Sequence, residues 1–120
     1  MRLIIGGAHQ GKTAFVKKTM GLTPQTCDQT TALTAPAVNG FHQLVREILA
    51  DGGDPQAFTR TLTQTNPDAV ILCDEVGLGI VPLDAADRRW REEVGRCLCL
   101  LAAEAESVSR IIAGLEQKIK

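Results

Sequence analysis

Residues 1–20 read MRLIIGGAHQGKTAFVKKTM, and the meaning of GGAHQGKT at 6–13 decides the fold. Counted from Gly6, the stretch satisfies G-x-x-x-x-G-K-[ST], with Gly6, Gly11, Lys12 and Thr13 on the four specified positions. RLII before it reads as a buried strand and KTAFVKKTM after it as a helix, so strand, loop and helix come in the order a phosphate cradle requires. Glycines let the loop amides approach an anion, and the first turn of the following helix adds unpaired N–H groups and the positive end of its dipole. On this reading Gly6, Gly7, Ala8, His9, Gln10, Gly11, Lys12 and Thr13 bind a nucleoside triphosphate, ATP or GTP. Lys12 reaches the terminal phosphates and the Thr13 hydroxyl ligates Mg2+. His9 and Gln10 either touch the nucleotide or fill the turn.

Working outward, the chain alternates elements. Thr26 to Asp28 suggests a short strand in a Thr- and Pro-rich segment. From Val38 onward, Phe41, Leu44, Val45, Ile48 and Leu49 recur at helical spacing until DGGD stops them. Asp54 and Pro55 form an N-cap and first helical residue, and TNPD ends that helix. AVILC, 69–73, is a continuous apolar run of the kind expected for a strand covered on both faces. Asp84 caps a long helix with a stripe of Trp90, Val94, Cys97, Leu98, Leu101 and Ala105, opposite Arg88, Glu92 and Arg96. SVSRIIAG, 107–114, reads as a final strand before a polar tail, LEQKIK. The expected fold is α/β, a small parallel sheet with flanking helices, P-loop NTPase-like, in one nucleotide-binding domain over residues 1–120.

A phosphate loop needs a carboxylate at the end of a neighbouring strand. Asp74 and Glu75 follow AVILC, and ligands of open α/β sheets lie beyond the carboxyl ends of the strands. Asp74 is therefore expected to hold Mg2+ with Thr13, and Glu75 to accept the proton of an attacking hydroxyl. An acid pair after a strand can also simply cap the next element.

Composition excludes other classes. With 13 basic and 14 acidic side chains, a net charge of −1, three Phe, one Trp and no Tyr, the chain offers neither a basic field nor a stacking platform for a polynucleotide. No apolar run is long enough to span a membrane, and the N-terminus does not read as a signal peptide, so a cytoplasmic location is expected. The four cysteines, Cys27, Cys73, Cys97 and Cys99, lack zinc spacing and read as free thiols. Cys73 reads as core, and Cys97 and Cys99 as facing opposite sides of a helix.

GGAHQGKT, DEVGLGIVP at 74–82 and RRWREEVGR at 88–96 together resemble the bifunctional adenosylcobinamide kinase and adenosylcobinamide-phosphate guanylyltransferase family, most strongly over residues 2–20 and 69–120. The Glu-Val-Gly-x-Gly-Ile-Val-Pro run, Glu75 to Pro82, is the most specific part of the match. The resemblance implies phosphorylation of the aminopropanol hydroxyl of adenosylcobinamide, a corrinoid, by ATP or GTP. It also implies GMP transfer from GTP through a covalent histidine, and assembly into homo-oligomers.

His42, near a helix start, stands about where the family has its reactive histidine, without the family's flanking Arg-Pro and Trp. The alternative is a half-buried boundary residue. The family's Asn-Glu is Asp-Glu here, and the middle of the chain is too short for the extra acidic strand and helix of larger members. Asp74 is expected to take over metal binding from that strand. Gly114 and Lys118 either approach the base or ribose, as in the family's closing loop, or, for the lysine, belong to a solvated tail. Competing readings are a nucleotide-binding regulatory module without transfer and a kinase of another small alcohol.

Overall fold

A computed structural model describes residues 1–76 and 84–120. Among the described residues six strands form one sheet: β1 (Arg2–Gly6), β2 (Gln25–Thr26), β3 (Ala37–Asn39), β4 (Val70–Asp74), β5 (Ser107–Ile112) and β6 (Leu115–Lys118). Their order across the sheet is β2-β3-β4-β1-β5-β6. All neighbours are parallel except β5 and β6. The helices are α1 (Lys12–Met20), α2 (Phe41–Ala50), α3 (Pro55–Thr65) and α4 (Ala85–Glu104), with a short 3-10 turn at Thr31–Leu33.

Strand alternation divides the core into two unequal layers. Leu3, Ile71, Cys73 and Val108 point to the side where Phe41, Leu44, Val45 and Ile48 of α2, Leu62 of α3, and Val94, Cys97 and Leu101 of α4 are buried. Ile4, Val70, Leu72 and Ile111 point to the other side, against Val16 of α1. The central strand 70–73 is buried at every residue, as its unbroken apolar run requires.

Two helices start on aspartate caps: Asp54 accepts from the N–H groups of Gln56 and Ala57, and Asp84 from that of Ala86. Each such cap contributes about 1 kcal/mol. The α4 stripe behaves as its spacing predicts, with Cys97 buried and Cys99 exposed on the opposite side.

Three boundaries differ from the sequence reading. Val38 does not open a helix. It lies in β3, beside Ile71 of β4, and the helix begins only after Gly40 turns the chain with φ 72°. The middle of the chain thus contributes two parallel strands, β2 and β3, where one was expected at 26–28; β3 ends in Asn39, not in an acid. LEQK is not a loose polar tail but the antiparallel strand β6, returned on β5 by the two-residue turn Ala113–Gly114, both at positive φ (50° and 78°) as a hairpin of this length demands. Periodicity could not show β6, because all four of its residues are exposed.

Among the described residues no helix is long and apolar enough to cross a membrane.

Candidate phosphate and carboxylate site

The parallel pairing of β1 with β4 ends in the register Gly6↔Asp74, and the N–H of Glu75 donates to the Gly6 carbonyl at 2.9 Å. The last residue of the first strand and the acidic pair therefore share one rim of the sheet, where the phosphate loop leaves it. A cavity lined by Ala8 to Ala14, Asn39 and Asp74 opens there.

The loop is shaped by close backbone approach. A Cβ on Gly6 would stand 2.6 Å from the Ile111 carbonyl oxygen, which no side chain tolerates. Gly11, at φ 94°, caps α1 without a side-chain hydrogen bond, and a Cβ there would lie 3.3 Å from the Gly114 Cα. The first turn of α1 thus carries no side-chain cap and no acidic residue, leaving its N–H groups to the cavity. Gln10 braces this loop against the hairpin turn: its Oε1 accepts from the Ala113 N–H at 2.7 Å, and its carbonyl accepts from the Gly114 N–H at 2.8 Å. Gly114 accordingly touches the loop. Lys118 lies four residues farther along a strand, about 14 Å away at 3.4 Å per residue, in a separate groove with Arg2, Glu106 and Ser109.

Lys12 is buried and three oxygens surround its ammonium: the Gly7 carbonyl at 2.8 Å, the Gly6 carbonyl at 3.2 Å and Asp74 Oδ1 at 2.7 Å. Asp74 also meets His42. The His42 Nδ1 accepts the Asp74 backbone N–H at 3.1 Å, so a neutral ring carries its proton on Nε2, which lies 3.4 Å from Asp74 Oδ2. Trp90 Nε1 donates to the His42 carbonyl at 2.7 Å, and the Arg46 guanidinium lies 3.9 Å above the Trp90 ring, fixing α2 to α4 at this point. Burial holds the His42 pKa below its ordinary value, with Lys12 and Arg46 acting in the same direction and Asp74 against them.

Glu75 faces the opposite way, toward β5. Arg110 Nη2 donates to Glu75 Oε2 at 2.9 Å, and Arg110 Nε lies 2.9 Å from Oε1 without pointing its proton at it. Cys73, next to Asp74, is fully buried and its thiol is pushed up to about 12 by desolvation and by the Asp74 charge. It is a core residue and not a nucleophile.

The structure thus gathers Gly6 to Thr13, Asp74 and His42 around one rim and turns Glu75 onto Arg110. Gly77 to Pro82 of the Glu-Val-Gly run lies outside the described residues. Sequence reasoning missed Arg110, Asn39 and Trp90. A lone arginine inside SVSRII and an Asn-Gly pair between an apolar strand and a helix were the available signals for the first two.

One carboxylate, one hydroxyl and the phosphates themselves are a donor set that suits Mg2+, which keeps several waters and seldom uses an all-protein cage. Asp74 and Thr13 offer that set. No cluster of three or more His, Cys, Asp or Glu side chains able to hold a metal occurs among the described residues.

Comparison with known proteins gives the same direction. The family model for cobinamide kinase / cobinamide phosphate guanyltransferase matches residues 30–119. The bifunctional adenosylcobalamin biosynthesis protein CobU of Salmonella typhimurium is 41% identical over 51 residues, which cover 42% of this chain and 28% of that protein. The bifunctional adenosylcobalamin biosynthesis protein CobP of Pseudomonas aeruginosa is 31% identical over 68 residues, 57% of this chain and 39% of that protein. The match thus spans less than two fifths of the length of either relative.

Proposed function

This chain belongs to the cobinamide kinase / cobinamide phosphate guanyltransferase family, and from that premise we propose that it transfers the terminal phosphoryl group of ATP or GTP to the hydroxyl of a corrinoid of the cobinamide type. The observation that carries this reading is the register Gly6↔Asp74, which sets a carboxylate beside the phosphate loop and 2.7 Å from Lys12. Phosphoryl transfer asks mainly for positioning and for neutralisation of charge on the transferred group. The loop amides and the α1 N-terminus hold the phosphates, and Lys12 exchanges Asp74 for their terminal oxygens. Thr13 and Asp74 would hold Mg2+, which neutralises phosphate charge when bound. To accept the proton of the incoming hydroxyl, Glu75 must leave Arg110 and turn toward the cavity that holds Lys12 and Asp74.

For guanylyl transfer through His42, a ring nitrogen must present its lone pair to the α-phosphate. Here the Nδ1 lone pair is engaged by the Asp74 N–H and Nε2 faces the Asp74 carboxylate. We therefore assign His42 first to orienting Asp74. A nucleophilic role requires the Asp74 N–H to release Nδ1. The second reading, a nucleotide-binding module without transfer, is favoured by one observation, the engagement of Glu75 by Arg110.

Incubation with GTP labelled separately at the α and γ positions, with and without adenosylcobinamide, separates these readings. γ label on the corrinoid supports the kinase. α label retained on the protein and lost in His42→Ala supports the guanylyl intermediate. Bound nucleotide with no label transferred to either supports the module.

A further inference from the structure

Among the described residues, the cavity beside Lys12 is lined by one polar side chain that neither the loop motif nor the acidic pair accounts for. Asn39 ends β3, is half-buried, and lines the same cavity of about 490 Å3 as Lys12, Thr13 and Asp74. Because the sheet order is β3-β4-β1, Asn39, Asp74 and the phosphate loop follow one another across the rim, with Asp74 between the other two. Of the other polar side chains lining the cavity, His9 and Thr13 belong to the loop motif and make no side-chain hydrogen bond among the described residues. Lys12, Asp74 and Gln10 have protein partners at hydrogen-bonding distance. Asn39 makes no side-chain hydrogen bond among the described residues, although Gly40, at φ 72°, turns the chain directly after it into α2 and so fixes its backbone at the cavity wall. The Asn39 carboxamide is open to the cavity, where it can donate to and accept from whatever occupies that space.

We propose that Asn39 is a ligand of the transferable phosphoryl group, its amide nitrogen donating to a terminal phosphate oxygen on the side of Asp74 away from the loop. The inference rests on the triphosphate reading above and adds a residue that distinguishes triphosphate from diphosphate. An uncharged carboxamide suits that place. It donates to a phosphoryl oxygen without adding negative charge beside Asp74, and its carbonyl remains able to accept from an incoming hydroxyl.

Calorimetric titration of the parent protein and of Asn39→Ala and Asn39→Asp with Mg·GTP and Mg·GDP, and with the adenine pair, tests it. The parent is expected to bind triphosphate. Both variants are expected to lose about tenfold in triphosphate affinity, the size typical of a hydrogen bond to a charged group, while diphosphate affinity stays within twofold, so that the triphosphate-to-diphosphate ratio falls. A structural role alone would weaken both nucleotides together and leave the ratio unchanged, and that result overturns the inference while leaving the kinase reading intact. Asn39→Asp binding triphosphate as tightly as the parent also overturns it, because the isosteric variant lacks the donor. A parent protein that binds neither triphosphate overturns the function reading and this inference together.

Discussion

Lys12 is the residue on which the site turns, because its ammonium is already surrounded by oxygen before any phosphate is considered: two loop carbonyls and Asp74 Oδ1. That arrangement holds a buried cation at the loop mouth and ties the loop to β4. Lys12→Met is expected to lower triphosphate affinity at least tenfold, since hydrogen bonds to charged groups contribute about 1.5–3 kcal/mol. Titration with Mg·ATP and Mg·GTP measures it, and parent-like affinity would contradict the assignment.

His42 gives a pH signature of its own. Its pKa in the folded chain lies below the ordinary 6.5, chiefly through burial, so the unfolded chain binds the proton first. The stability from keeping the ring neutral is complete above pH 6.5 and is lost as pH falls through the lowered folded value. The denaturation midpoint in urea should therefore decline below about pH 6.5, and His42→Asn should flatten that decline. An equal decline in both proteins would remove His42 as its source.

At the scale of elements, the contact between the phosphate loop and the β5–β6 hairpin decides the shape of the cradle. Gly6→Ala would drive a methyl group to 2.6 Å from the Ile111 carbonyl, a backbone atom that cannot step aside. A loss of about 1–3 kcal/mol in unfolding free energy is expected, as for overpacking elsewhere, and a melting temperature equal to the parent's would show that the strand spacing relaxes. Gln10→Ala removes the acceptor for the Ala113 N–H at a solvent-facing turn. A net cost of about 0.5–1.5 kcal/mol is expected, together with faster amide exchange at Ala113; unchanged exchange would deny Gln10 its bracing role.

The elements legible in sequence were those whose pattern is set by burial. The apolar run 69–73 had to be a central strand, and Asp54-Pro55 and Asp84 had to open helices. What could not be read was set by pairing alone. β3 is three residues long, too short to show a period, and β6 is exposed throughout, so only its partner β5 and the positive-φ turn make it a strand.

For the whole molecule, two lines of observation lead to the same place from different stretches of chain. The family match covers residues 30–119, whereas the glycine-rich loop lies before it and is placed beside Asp74 by the pairing of β1 with β4. They meet at the Gly6↔Asp74 pairing. That the loop and Asp74 share one rim was legible, because glycine spacing and strand-end acids follow from local chemistry. Arg110 and Asn39 were not, because only the strand order brings them to the rim. Glu75 was legible as a rim acid but not in its partner, since its contact with Arg110 spans 35 residues.

Ile112, Leu115 and Ile119 remain exposed on the β5–β6 edge, and we propose self-association through that edge as the basis for the expected homo-oligomer. Light scattering of the parent and of Leu115→Lys tests it: an assembly larger than one chain that dissociates in the variant is expected, and a monomeric parent would refute it.

The central claim is that the loop amides and Asp74 converge on one magnesium triphosphate. Calorimetry of the parent and Asp74→Ala with ATP and GTP, each in magnesium and in chelator, tests it most directly. The account predicts binding by the parent that strengthens with magnesium and, in the variant, at least a tenfold loss of that magnesium-dependent gain. No uptake of either nucleotide by the parent, or an unaltered magnesium gain in the variant, would contradict it.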